Sequence, residues 1–117
     1  CSGKIFYDLL VARRERDIDD IAFIRVEQLY PFPEKELRTA LEVYPERAEV
    51  MWAQEEPQNM GAWDFMFPRL LRLVGKDRPV LYAGRRPAAS PATGSYKVHQ
   101  SEEQEHIHAA LRRTYAR

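Results

Sequence analysis

Between Gln54 and Asn59 the chain sets two carboxylates, Glu55 and Glu56, among three amides, Gln54, Gln58 and Asn59. An apolar run, Val50-Met51-Trp52-Ala53, precedes them, and the step Met60-Gly61-Ala62-Trp63 follows. Paired carboxylates can serve as general acid and base, but only where their surroundings hold their pKa values apart. Neighbours on an extended strand face opposite sides, so Glu55 and Glu56 do not converge on one reacting atom. The cluster reads instead as a contact surface, with Asn59 also capping the next helix.

A second constellation is Arg85-Arg86, followed by Ser90, Thr93, Ser95 and Lys97 in a run rich in Ala, Pro and Gly. Guanidinium forks match phosphate oxygens, and small residues let a ligand approach the backbone. The spacing matches neither the dinucleotide-binding fingerprint nor the P-loop, so a solvated basic loop stays open beside an anion site. His99, His106 and His108 do not read as metal ligands, since a helical i, i+2 pair does not share a face. Ser2, Cys1 and Lys4 lack a nucleophile elbow or a partner His. Trp52 and Trp63 read as core or interface anchors.

These residues need a scaffold. Gly3-Lys4 opens a helix whose stripe Phe6, Leu9, Leu10 and Arg13 is expected to face inward, with Ile5 and Ala12 beside it. Ile21–Leu29 is rich in β-branched and aromatic residues and reads as a strand, apolar on both faces in its first half. Tyr30-Pro31-Phe32-Pro33 stops it. A helix then starts at Pro33, with Glu34 and Glu36 in its first turn and Leu37, Ala40, Leu41 and Tyr44 inward. Glu49–Ala53 is the next strand. A helix over Gly61–Val74 should bury Phe65, Met66, Leu70 and Leu73, with a kink or late start at Pro68. Pro79–Ala83 is a short strand and Gly84–Gly94 a loop. Ser101 to Gln104 has the capping-box pattern and leads into a helix burying Ile107, Ala110 and Leu111.

Alternating strands and helices predict an α/β domain with a mostly parallel sheet. Right-handed crossovers place every strand-to-helix loop on one edge, where such sheets bind their ligands. Ser2-Gly3-Lys4, Tyr30 to Pro33 and Gln54 to Asn59 should share it. At 117 residues the chain reads as one domain, 1–117. Its 18 basic and 18 acidic residues balance, so nothing in the charge points to nucleic acid or a membrane surface. No apolar run approaches the roughly 20 residues of a membrane helix. The lone cysteine, Cys1, rules out an internal disulfide and suits a reducing, cytosolic setting. With no strand before an apparent strand-to-helix turn, the chain reads as a piece of something longer.

The segments CSGKIFYDLL, DIAFIRVEQLYPFP, VMWAQEEPQNMGAW and YAGRRPAASPATGSYKVHQSEEQ together resemble the C-terminal domain of the thiamine-diphosphate-dependent 2-oxoglutarate dehydrogenase first component. The resemblance runs over almost the whole chain. It implies a transketolase-like, three-layer αβα sandwich whose five-stranded sheet is mostly parallel, with one antiparallel strand; the first strand would precede the CSGK turn and be missing here. It implies that thiamine diphosphate and Mg²⁺ belong to the preceding domains, so that this piece holds no cofactor and is inactive alone. The parent it implies is a homodimer that decarboxylates 2-oxoglutarate and passes a succinyl group to dihydrolipoyl succinyltransferase in the tricarboxylic acid cycle. That parent would work in a bacterial cytoplasm or a mitochondrial matrix. Carried onto this sequence, Gln54, Arg85, Arg86, Ser90 and Lys97 become candidates for an acetyl-CoA or AMP effector site. Glu55, Glu56, Gln58, Asn59 and Trp63 become candidates for inter-domain contact. The rival reading is a free-standing flavodoxin-like ligand-binding or electron-carrier domain.

Overall fold

The computed structural model describes residues 1–90, 104–105 and 107–111. Gly3, at a φ of 78°, turns the chain into helix α1 (Ile5–Glu15). The buried stripe is Ile5, Leu9 and Ala12, at i, i+4 and i+7. Phe6, Leu10 and Arg13 are only half-buried, so the inward face is rotated from the expected one. Arg13 instead spreads over the Phe23 ring and donates to the Ile21 carbonyl at 2.7 Å.

Residues 21–29 are extended but form no regular strand. This corrects the sequence expectation. Composition favours extension, but a strand is defined by a ladder, and the backbone partner found here is Cys1. Its nitrogen donates to the Ile24 carbonyl at 3.2 Å, and its carbonyl accepts from the Val26 nitrogen at 2.8 Å. Helix α2 (Glu34–Glu42) starts after Pro33, as the fixed proline φ favours, with Glu34 and Glu36 in its first turn. Only Leu37 is fully buried; Ala40 and Leu41 are half-buried. Tyr44 lies past the helix end and is 41% exposed, a further correction.

Strands β1 (Val50–Pro57) and β2 (Val80–Arg85) pair in parallel, and both run further than their apolar residues suggested. The pairing holds from Val50↔Val80 to Ala53↔Ala83, then breaks and resumes at Pro57↔Arg85. Three residues of β1 thus oppose Gly84 alone, a bulge that re-aims the strand. Helix α3 (Trp63–Val74) makes the crossover and buries Met66 and Leu70, while Phe65 and Leu73 are half-buried. Pro68 lies within it without ending it or delaying its start. Pro68 and Asp64 are both exposed, so water can satisfy the carbonyl that the proline leaves without an N–H partner.

Two clusters make the core. Ile5, Leu9, Ala12, Ala53, Ala83, Ile107 and Leu111 form one. Val26, Leu37, Trp52, Met66, Leu70 and Val80 form the other. Consecutive β1 residues, Trp52 and Ala53, feed different clusters, as period-two alternation requires. The class is α/β. Residues 107–111 are helical, with Ile107 and Leu111 buried and Ala110 half-buried; Ser101, proposed as the cap, lies outside the described residues. No helix among the described residues is long and apolar enough to cross a membrane.

Candidate contact edge at the strand ends

Parallel pairing brings the carboxyl ends of β1 and β2 together, and the turns beyond them share one edge. Gln58 nitrogen donates to the Arg85 carbonyl at 3.0 Å, fastening the first turn to the end of β2. Gln54, Glu55 and Glu56 belong to β1 itself rather than to a connector. Strand alternation separates the two carboxylates as expected: Glu55 is half-buried and Glu56 exposed.

Gln54 organises the edge. It is the buried polar residue of the described core, 3% exposed. Its Oε1 accepts from the Trp52 indole nitrogen at 2.9 Å. Its Nε2 faces the carbonyls of Glu56 at 3.2 Å, Pro57 at 2.9 Å and Met60 at 2.9 Å. One amide therefore takes up carbonyls that the bulge removes from the ladder. These bonds point inward, so Gln54 shapes the edge from beneath rather than facing solvent.

Asn59 was expected to cap α3. It does not: the cap residue is Ala62, without a side-chain bond. Asn59 reaches across to β2's exit turn, where Nδ2 donates to the Ala88 carbonyl at 2.9 Å and Oδ1 accepts from the Ala88 nitrogen at 3.0 Å. This two-point grip joins the QEEPQN segment to the segment carrying Arg85 and Arg86. Two separate sequence features thereby become one surface.

Sequence reasoning overlooked Tyr82, Gly61 and Gly84. The Tyr82 hydroxyl donates to the Arg85 carbonyl at 2.7 Å and lies 3.4 Å from the Glu56 carbonyl. Burial pushes its pKa up to about 12, with smaller effects from Gln54, Glu56 and Arg85. Trp63 packs between the Tyr82 and Phe67 rings, with centroids 5.1 and 4.7 Å away. Gly61 has a φ of 65°, and a Cβ there would come 2.6 Å from Glu56 Oε2. At Gly84, a Cβ would strike the Tyr82 hydroxyl and lie 2.9 Å from the Gln54 carbonyl. The glycines after QNM and after YA were the available signals.

Arg85 is half-buried at the end of β2, while Arg86 and Ser90 are exposed just beyond. Lys97, Thr93, Ser95, His99 and His106 lie outside the described residues; His108 is exposed on the last helix. A second group of atoms sits around the start of α1. Gly3 nitrogen donates to Glu27 Oε1 at 3.0 Å, and Arg25 Nε to the same oxygen at 2.7 Å. The Arg25 bond, followed by that of Gly3, lowers the Glu27 carboxyl below the ordinary glutamate range. No three His, Cys, Asp or Glu residues cluster as metal ligands among the described residues.

Residues 1–111 match the family model described as 2-oxoglutarate dehydrogenase C-terminal. The chain is similar to the 2-oxoglutarate dehydrogenase E1 component of Cupriavidus necator, 44% identical over 95% of this chain and 12% of that protein. It is 46% identical to the mitochondrial 2-oxoglutarate dehydrogenase of Schizosaccharomyces pombe, over 95% of this chain and 11% of the relative. It is 50% identical to the E1 component of Brucella anthropi, over 87% of this chain and 10% of the relative. The chain thus spans about a tenth of the length of these curated relatives.

Proposed function

The chain belongs to the 2-oxoglutarate dehydrogenase C-terminal family, and on that premise we propose that residues 1–117 are the non-catalytic C-terminal domain of a 2-oxoglutarate dehydrogenase subunit. Its architecture is the transketolase-like three-layer sandwich with a mostly parallel sheet. The parent, a homodimer, decarboxylates 2-oxoglutarate and passes the succinyl group to dihydrolipoyl succinyltransferase, in a bacterial cytoplasm or a mitochondrial matrix.

The resemblance assigns thiamine diphosphate and its Mg²⁺ to other domains, and among the described residues the carboxylates Glu55 and Glu56 diverge. On this reading the cofactor and its chemistry belong to the preceding domains. This domain supplies a rigid contact edge: Glu55, Glu56, Gln58, Asn59 and Trp63 face the neighbouring domains. The single observation that carries the reading is the Gln54 amide, whose bonds fix the bulge and the following turn before any partner arrives. Preorganisation of that kind lowers the ordering cost of docking.

A second role is favoured by the Asn59 grip on Ala88, which sets Arg85 and Arg86 beside the contact edge. There they form the lip of an anion site for the phosphates of an acyl-CoA or adenine nucleotide, with Ser90 and Lys97 contributing. In the parent enzyme, Arg85→Ala with Arg86→Ala is expected to weaken activation by acetyl-CoA or AMP at least tenfold in half-maximal concentration, while turnover without effector persists. An unchanged effector response in steady-state assays removes the anion site and leaves the contact edge standing.

A further inference from the structure

Arg85 and Arg86 are neighbours in sequence but are held in different ways. Arg85 closes the β1–β2 ladder opposite Pro57. Its carbonyl accepts from the Gln58 nitrogen at 3.0 Å and from the Tyr82 hydroxyl at 2.7 Å. The strand end therefore fixes its backbone. Arg86 lies one residue past the end of β2 and is exposed.

The next anchored residue is Ala88. Its nitrogen donates to Asn59 Oδ1 at 3.0 Å, and its carbonyl accepts from Asn59 Nδ2 at 2.9 Å. Arg86 and Pro87 are thus the whole span between two anchors. Pro87 narrows that span further, because its ring fixes its own φ and drives the residue before it toward extended backbone. Pinned at both ends and restricted in its middle, the span leaves Arg86 few backbone conformations. Without the Asn59 bonds it is pinned at Arg85 alone.

Asn59 itself stands on a firm base. Around it, the Met60 nitrogen donates to the Pro57 carbonyl at 2.8 Å. From beneath, Gln54 Nε2 donates to the carbonyls of Pro57 and Met60, each at 2.9 Å. The buried amide of Gln54 places the turn, the turn presents the exposed amide of Asn59, and that amide places Ala88. A continuous chain of bonds runs from the core to the backbone beside Arg86.

Granted the anion site proposed for Arg85 and Arg86, we propose that Asn59 is its positioning residue: acting through Ala88, it holds Arg86, and not Arg85, in place for a ligand phosphate. An arginine that must be ordered at the moment of binding gives up affinity that a pre-placed one keeps. Asn59 therefore contributes to binding without touching the ligand. Arg85 takes its place from the ladder, so its share does not depend on Asn59.

Calorimetry on the intact parent enzyme, with acetyl-CoA and with AMP, tests this in three backgrounds: wild type, Arg85→Ala and Arg86→Ala. The expected result is that Asn59→Ala raises Kd about fivefold in the wild-type and Arg85→Ala backgrounds. In the Arg86→Ala background it changes Kd by less than about twofold, because the two residues act as one unit. Amide exchange across Val50–Ala53 at the wild-type rate verifies that the β1–β2 ladder is intact in every variant. An equal loss in all three backgrounds means that Asn59 does not act through Arg86 and overturns the proposal. An unchanged Kd in Asn59→Ala, with Arg86→Ala still weakening binding, overturns it while the anion site stands. If neither arginine substitution alters the binding of either probe, the anion site falls and this proposal falls with it.

Discussion

Replacing Gln54 by Met keeps a long side chain in the same buried space but removes every polar atom of its amide. Four contacts go: the Trp52 indole donor and the carbonyls of Glu56, Pro57 and Met60. Trp52 is 2% exposed and Pro57 is fully buried, so water does not readily replace the amide there. Each buried group left unsatisfied costs roughly 1–3 kcal/mol. The Glu56 and Met60 carbonyls lie nearer solvent and add less. The sum is about 3 kcal/mol, a large part of the roughly 5–15 kcal/mol that holds a typical domain folded. With an m-value of about 1.5 kcal/mol/M, the urea midpoint falls by about 2 M. Fluorescence of the two tryptophans, Trp52 and Trp63, follows the same unfolding. In Gln54→Glu the acceptor for Trp52 survives, but an oxygen replaces the nitrogen facing three carbonyls, so this variant is expected to lose at least as much at pH 7. A midpoint shift below about 0.3 M for Gln54→Met would refute the reasoning that this amide holds the edge together.

Asn59→Ala removes both bonds to Ala88. Since the site is exposed, global stability should change by less than about 1 kcal/mol, while the Ala88 amide exchanges at least tenfold faster; unaltered exchange counts against the grip. Gly84→Ala pushes a Cβ against the Tyr82 hydroxyl and to 2.9 Å from the Gln54 carbonyl. Overpacking of this kind costs about 1–3 kcal/mol, and a neutral thermal shift would show that the bulge tolerates a side chain.

The order of helices and apolar strand cores was legible because each rests on local pattern. Ile5, Leu9 and Ala12 recur at helical spacing, and Pro33 with Glu34 and Glu36 marks a helix start whatever surrounds it. What the residues did not disclose depends on partners distant in sequence. The segment Ile21–Leu29 has the composition of a strand but takes its identity from a ladder neighbour, and its bonds go to Cys1. Gln54, Glu55 and Glu56 look like a connector by polarity, yet continue β1, because one buried amide satisfies the bulged backbone. Asn59 stands where a helix cap belongs, and only the parallel registry of β1 with β2 brings Ala88 within reach of its side chain. The edge was foreseeable from alternating topology; its internal wiring was not. The candidate site was legible as two residue groups, and the pairing of the strands makes them adjacent.

On the proposed function, the loops at the strand ends are covered in the larger subunit and the opposite end is not. Tyr30, in the loop entering α2, is 82% exposed in this chain, and Tyr44, in the loop before β1, is 41% exposed. Hydroxyl-radical footprinting of the intact parent subunit reads both in one experiment. The expected result inverts their order, with Tyr30 and Trp63 shielded and Tyr44 still reactive. Tyr30 oxidised in proportion to its exposure here, with Tyr44 protected, would place the contact at the wrong end of the domain and contradict the account.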